Sequence, residues 1–246
     1  LIKPTHIVNL KKIPELNIVE ERGDAIHIGA AVKLRELEKN ETIKKRLPLL
    51  NSCVKSIGSV QIRNMGTIGG NVCNASPAAD AALGLVALEA TVHIAGPDGE
   101  RTVEAKDFFK GPGLTVLSDD EIVTGFTVPI PTEETGTCFL SVGRTSLDIS
   151  TISIAVALKT DGDRVKDAKI ALGSVAPTPL RLLDLEKQLK GKTLTEKLIE
   201  DTANKVPESI HPITDVRGTA EYRRKASKGL AVDALTEAWR EGRQQR

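Results

Sequence analysis

The chain has 246 residues, 40% hydrophobic and 27% charged, with a formal net charge of +1, the balance of a globular protein of one large domain or two smaller ones. Near-neutral charge removes any global pull toward nucleic acid or anionic membrane, and an aromatic content of 2% argues against a stacking platform for single strands. No apolar run reaches the ~20 residues of a membrane span, and three isolated cysteines (Cys53, Cys73, Cys138) make no disulfide framework, so a reducing cytoplasm is the expected compartment.

In chain order, residues 25 to 32, "AIHIGAAV", place Ile26 and Ile28 on one side of a short strand. "KLRELEKNETIKKRLPLLNSCVKSIGS" predicts helices broken near Pro48. Residues 60 to 80, "VQIRNMGTIGGNVCNASPAAD", read as a glycine-rich loop, followed by a helix over "AADAALGLVALEA" with Asp80 near its start. "ATVHIAGPDGERTV" is a hairpin around Pro97-Asp98-Gly99, and "EIVTGFTVPIP" alternates as a strand ending in prolines. The polar stretch 130 to 137, "IPTEETGT", suggests a domain boundary, giving 1–132 and 137–246. Beyond it, "ISTISIAVALK" puts Ile152, Ile154, Val156 and Leu158 on one face, "KTDGDR" turns the chain, and "DAKIALGSV" returns as its partner. Helical patterns close the sequence: one around Leu182, Leu185 and Leu189, one over 194 to 206 and one over 220 to 240. The fold class expected is α+β in two domains, with mixed sheets and helices on one side.

The loop carries the chemistry. Glycines let backbone N–H groups approach a ligand where a Cβ would clash, and a run of such groups suits a phosphate or pyrophosphate. Thr67 adds a hydroxyl and Asn71 an amide, while Asp80 suits the hydroxyls of a ribose or ribityl chain. Spacing alone leaves two readings open, a nucleotide cradle or a glycine-rich turn capped by Asn and Asp. Neither G-x-G-x-x-G nor G-x-x-x-x-G-K-[ST] is present.

"GTIGGNVCNASPAADA", with "IHIGAAVKLRELE" before it and "GPGLTVLSDDEIVTGFTVPIP" after it, resembles the FAD-binding subunit of molybdenum hydroxylases of the carbon monoxide dehydrogenase and xanthine dehydrogenase type. "LDISTISIAVAL", "IALGSVAPTPLR" and "DVRGTAEYRR" resemble that subunit's C-terminal domain, so the likeness covers nearly the whole chain. It implies an FAD-binding domain of the vanillyl-alcohol-oxidase/PCMH type followed by a small α/β domain. By position, Thr67, Ile68, Gly69, Gly70 and Asn71 match the family's second FAD loop, Asp80 its acidic FAD contact, and Val123 an apolar residue against the flavin ring. It also implies partners, an iron–sulfur small subunit and a large subunit with the molybdenum cofactor, and electron transfer through FAD with no acid or base from this chain. Two departures stand out. The family's first FAD loop would precede "LIKPTHIVNL", and the sole Met at 65 agrees with upstream residues outside this sequence. Leu140 stands where xanthine dehydrogenase type members carry a Lys, which points to a different electron acceptor.

Other residues weigh less. His6, His27, His93 and His211 share no metal-ligand spacing, and three scattered cysteines cannot complete an iron–sulfur cluster. Arg63 is expected at the surface, with a phosphate contact as the sharper reading, and "YRRKASK" as a solvated helix face. Two rival functions remain, a flavin-free scaffold of the same fold and a stand-alone flavin oxidase.

Overall fold

The computed structural model describes residues 4–145 and 147–244. A hairpin of β1 (Val19–Arg22) and β2 (Ala25–Gly29) leads into six short helices: α1 (Leu34–Lys39), α2 (Glu41–Arg46), α3 (Pro48–Lys55), α4 (Val60–Met65), α5 (Ile68–Cys73) and α6 (Asp80–Ala87). Pro48 opens α3 rather than merely ending its predecessor, the position where a missing N–H does no harm. The hairpin β3 (Thr91–Gly96) and β4 (Gly99–Glu104), the small pair β5 (Phe109–Gly111) and β6 (Leu114–Thr115), and β7 (Ile122–Pro129) follow. β7 returns to the middle of a five-stranded sheet of order β1-β2-β7-β3-β4. Its alternation sends Phe126 and Val128 inward with Ile26 and Ile28 of β2 and Val92 and Ile94 of β3, into one cluster with Leu37, Leu50 and Leu85 of the helices.

The second part is a sheet of order β11-β10-β9-β8, built from β8 (Thr135–Val142), β9 (Ile152–Asp161), β10 (Arg164–Gly173) and β11 (Leu180–Arg181). The helices α7 (Leu183–Leu189), α8 (Glu196–Ala203) and α9 (Ala220–Gln244) follow. All strand pairs in both sheets are antiparallel among the described residues, not mixed as expected, because hairpins and long returns join them instead of helical crossovers.

The C-terminal sheet is covered on both faces. Ile152, Ile154, Val156 and Leu158 face the cluster formed with Leu185, Ile199 and Leu235 of its own helices. Ala155, Ala157 and Ala171 face the N-terminal core, where α6 lies across β9 and β10. Each part alone therefore keeps its own helices on one side of its sheet, as expected, and the second cover of the C-terminal sheet comes from the N-terminal part. In "YRRKASK", Tyr222, Arg224, Lys225 and Lys228 are exposed as expected, and the correction concerns one of its charges. Arg223 is buried, its Nη1 donating to the Ser174 carbonyl at 2.6 Å and its Nη2 to Asp215 at 2.6 Å.

Candidate functional site

The stretch 60 to 80 is not a loop. Ser59 caps α4 by accepting the Ile62 N–H, Gly66 ends it, and Thr67 caps α5 by accepting the Gly70 N–H at 3.0 Å. Isolated helices of six residues are unstable. Tertiary docking holds α5: Ile68 N–H donates to the Val32 carbonyl at 3.0 Å and Gly69 N–H to the Ala30 carbonyl at 2.9 Å. Ile68 and Val72 then enter the core at i, i+4 spacing.

This docking corrects the idea of a free N–H run. With Asn71 N–H on the Thr67 carbonyl, the amides of residues 68 to 71 all have partners inside the chain. The two glycines serve different ends. A Cβ on Gly69 would stand 2.6 Å from the Ala30 carbonyl oxygen, so Gly69 is needed for α5 to reach β2. A Cβ on Gly70 would meet only Thr67 Oγ1, at 3.1 Å.

Beside them opens a cleft of about 650 Å³. Thr67, Gly69 and Gly70 line it together with the small Ala30 and Ala31 that follow β2. Leu16, Leu117, Ile122 and Val123 give it an apolar wall, and Ile7 and Val8 stand exposed at its edge. Lys11 is its cation, with Nζ anchored on the Met65 carbonyl at 2.7 Å. Glu121 is its anion, held down to about 2 by the Arg101 guanidinium, with the Ser118 N–H adding to it. Cys73 also lines the cleft; burial pushes its thiol up to about 11, so it stands there as a protonated, unreactive group.

The structure thus brings Thr67, Gly69, Gly70 and Val123 to one cleft. Ile68 is wholly in the core, and Asn71 is half-buried with a buried Oδ1 that has no hydrogen-bond partner. Asp80 lies apart from the cleft lining, at the junction of the two parts, where it accepts from Ser56 at 3.0 Å and Ser150 at 3.1 Å. Burial pushes its carboxyl up against the opposing pull of the surrounding serine hydroxyls. Leu16, Ala30, Ala31 and Lys11 were missed by sequence reasoning. The only signal was the pair of small residues after the "AIHIG" strand.

Arg63 is neither at the surface nor free for a phosphate. It donates from Nε to Glu38 at 2.8 Å and from Nη1 to the carbonyls of Ile57 and Gly58. His27 and His93 lie half-buried on the outer sheet face with ring centroids 5.4 Å apart, and His93 Nε2 is 2.7 Å from Thr127 Oγ1. The described residues contain no group of three or more His, Cys, Asp or Glu arranged to hold a metal ion, and no helix long and apolar enough to cross a membrane.

Comparison with known proteins gives the family of the chain. Residues 1–131 match the model of the FAD binding domain in molybdopterin dehydrogenase, and residues 138–238 that of the CO dehydrogenase flavoprotein C-terminal domain. The chain is 37% identical to the glyceraldehyde dehydrogenase medium chain of Sulfolobus acidocaldarius, over 96% of this chain and 84% of that one. It is 34% identical to the carbon monoxide dehydrogenase medium chain of Hydrogenophaga pseudoflava, over 96% and 83%. A solved structure of carbon monoxide dehydrogenase from Hydrogenophaga pseudoflava, lacking the Mo-pyranopterin moiety, superposes with a TM-score of 0.94 at 34% identity, covering 98% of this chain and 84% of that one.

Proposed function

Since the chain belongs to the FAD-binding medium subunits of molybdenum-containing dehydrogenases, an oxidoreductase family, we propose that its cleft holds FAD as an electron relay. In this reading electrons arrive from the iron–sulfur clusters of a small partner subunit, are drawn from substrate by a large subunit with the molybdenum cofactor, and leave to an acceptor. The observation that carries it is the convergence of Thr67, Gly69, Gly70 and Val123 on one cleft of about 650 Å³. The division of the chain between β7 and β8, at residues 132 to 137, and a cytoplasmic location belong to the same reading.

The residues fit the cofactor. Thr67 Oγ1 already accepts from Gly70, which leaves its own proton to donate to a polar edge of the ligand. Gly70 is exposed, and nothing but Thr67 crowds its Cβ position, so backbone can lie against ligand there. Val123 and Leu16 exclude water from an apolar ring face. Ile68 anchors α5 in the core, and the unpartnered Asn71 Oδ1 is an acceptor awaiting a donor. Asp80 is the exception: it is held by Ser56 and Ser150 outside the cleft lining, and would serve cofactor hydroxyls only by leaving those partners. The redox chemistry is the cofactor's, and the chain's part is to bind, orient and shield it. Leu140, half-buried on β8 opposite Ile154, offers no proton there.

Flavin per chain, measured by absorbance after desalting, tests the placement. Gly70→Val is expected to weaken FAD binding by about tenfold or more, 1.4 kcal/mol per decade. The same variant should melt close to the unaltered chain. Full flavin retention by Gly70→Val would remove the cleft from this role. The chain without its partners is expected to show no substrate-dependent dehydrogenase activity, and robust turnover alone would favour a stand-alone oxidase.

A further inference from the structure

One wall of the cleft is irregular backbone. Leu117, Glu121, Ile122 and Val123 line it, and residues 116 to 121 join β6 to β7 outside any strand or helix. Such a segment holds one shape only where something ties it down. Here one guanidinium ties both ends. Arg101, on the edge strand β4, donates from Nε to Glu121 Oε1 at 2.6 Å and from Nη2 to Glu121 Oε2 at 2.7 Å. The same Nη2 donates to the Val116 carbonyl at 3.0 Å. Between those ends the Ser118 N–H donates to Glu121 Oε2 at 2.8 Å, and the Glu121 N–H returns to the Ser118 carbonyl at 3.1 Å. A planar fork on a carboxylate fixes orientation as well as distance.

The surroundings make the cation necessary. A groove beside this contact is lined by Asp98, Glu100 and Asp120 as well as Glu121, with Arg101 as its cation among the described residues. Without the guanidinium, the like charges of that groove oppose Glu121. The strand that follows is aimed as well. Val123 of β7 pairs with Ile94 and Gly125 with His93, so Thr124 is an extra residue. That bulge turns Val123 to the same side as Phe126, three residues on, and brings it to the cleft.

Arg101 acts from outside. Its side chain is 43% exposed, and it is not among the residues that line the cleft. Leu117 sits between the two tied ends, and Glu121 leads directly into Ile122 and Val123. We propose that Arg101 is a positioning residue for the cofactor, which acts through Glu121 to hold the 116–121 wall in the shape that receives FAD. This rests on the reading, made above, that the cleft holds FAD.

The experiment uses the full chain and compares the unaltered protein with Arg101→Gln, Arg101→Lys, Glu121→Gln and the Arg101→Gln, Glu121→Gln double variant. FAD affinity and release are followed by flavin fluorescence, and the Tm is taken on the flavin-free chain. Arg101→Gln is expected to weaken FAD binding about tenfold, mainly through faster release. Arg101→Lys keeps the charge but loses the fork, so its loss should be smaller. The double variant should bind no worse than the weaker single one, because both changes break the same contact. Exposed ion pairs add little to stability, so the flavin-free Tm should stay within about 2 °C. Unchanged FAD affinity in Arg101→Gln, with flavin lost from Gly70→Val, overturns the positioning role and leaves the cleft standing. Flavin kept by Gly70→Val removes the cleft, and the positioning role with it. Losses that add in the double variant also overturn the proposal, since Arg101 would then act apart from Glu121. So does a flavin-free Tm lowered by several degrees in Arg101→Gln, which would place its role in the fold.

Discussion

Gly69 and Gly70 are neighbours with separate duties, and single substitutions should tell them apart. A methyl on Gly69 would meet the Ala30 Cβ at 2.8 Å as well as the Ala30 carbonyl oxygen, so Gly69→Ala is an overpacking change. It is expected to destabilise by about 1–3 kcal/mol, read as a lower Tm with or without flavin. A wild-type Tm for Gly69→Ala would refute the packing account. The sequence made a close approach at these glycines legible, but not what approaches: the Ala30 backbone lies far back in the chain. Arg63 teaches the same lesson. Charge alone put it at the surface, and only the fold brings Glu38 to it. Arg63→Ala leaves part of that buried pair uncompensated and should cost about 3 kcal/mol in denaturant unfolding. A loss under about 0.5 kcal/mol, the range of ordinary surface changes, would contradict it.

Among the elements, strands were the most legible because alternation is a direct record of which face is buried. The helices α4 and α5 were not, since Gly66, Gly69 and Gly70 argue against helix and the backbone on which α5 docks, at Ala30 and Val32, lies outside the segment. The outer face of the N-terminal sheet holds a second feature that alternation could place but not explain. β7 carries Gly125 between the two histidine strands, and a Cβ there would stand 3.0 Å from His27 Cε1 and Nε2. His27 thus leans toward His93. Burial lowers both imidazoles' pKa values; Arg22 and His93 add to this at His27 against Glu20, while at His93 Glu100 opposes it and Arg22 adds to it. The folded state therefore prefers both neutral. The pair's contribution is full above the unfolded value of about 6.5 and is lost as pH falls through the lower folded values. Between about pH 7 and pH 5 the Tm should fall more steeply for the unaltered chain than for a His27→Gln, His93→Gln double variant. Parallel curves would show that the pair carries no such linkage.

At the scale of the whole molecule, the two parts share a junction that no single stretch of sequence announces. The pattern of β9 revealed its isoleucine face, but Ala155, Ala157 and Ala171 on the other side read as filler. They are small because α6, from the N-terminal part, lies against them. Arg181 bridges the same seam, donating to the Val86 carbonyl at 3.2 Å while paired with Glu186 at 2.7 Å. Asp80 opens α6 there, between Ser56 of the first part and Ser150 of the second. Its carboxyl is raised by burial, with hydroxyls of Ser56, Ser153 and Ser150 opposing. A raised folded value means its contribution to stability is full below the unfolded value of about 3.9 and lost as pH rises through the folded one. At neutral pH the ionised group therefore weighs against the fold. Asp80→Asn keeps the shape and removes the charge, so without flavin it should melt at the same temperature or higher. If the carboxylate serves cofactor hydroxyls, the same variant should bind FAD about tenfold more weakly, 1.4 kcal/mol. The two readouts, Tm of the flavin-free chain and flavin affinity by titration, must move in these different ways. A Tm several degrees lower with FAD affinity intact would make Asp80 a structural pin between the two parts and take it out of the cofactor site.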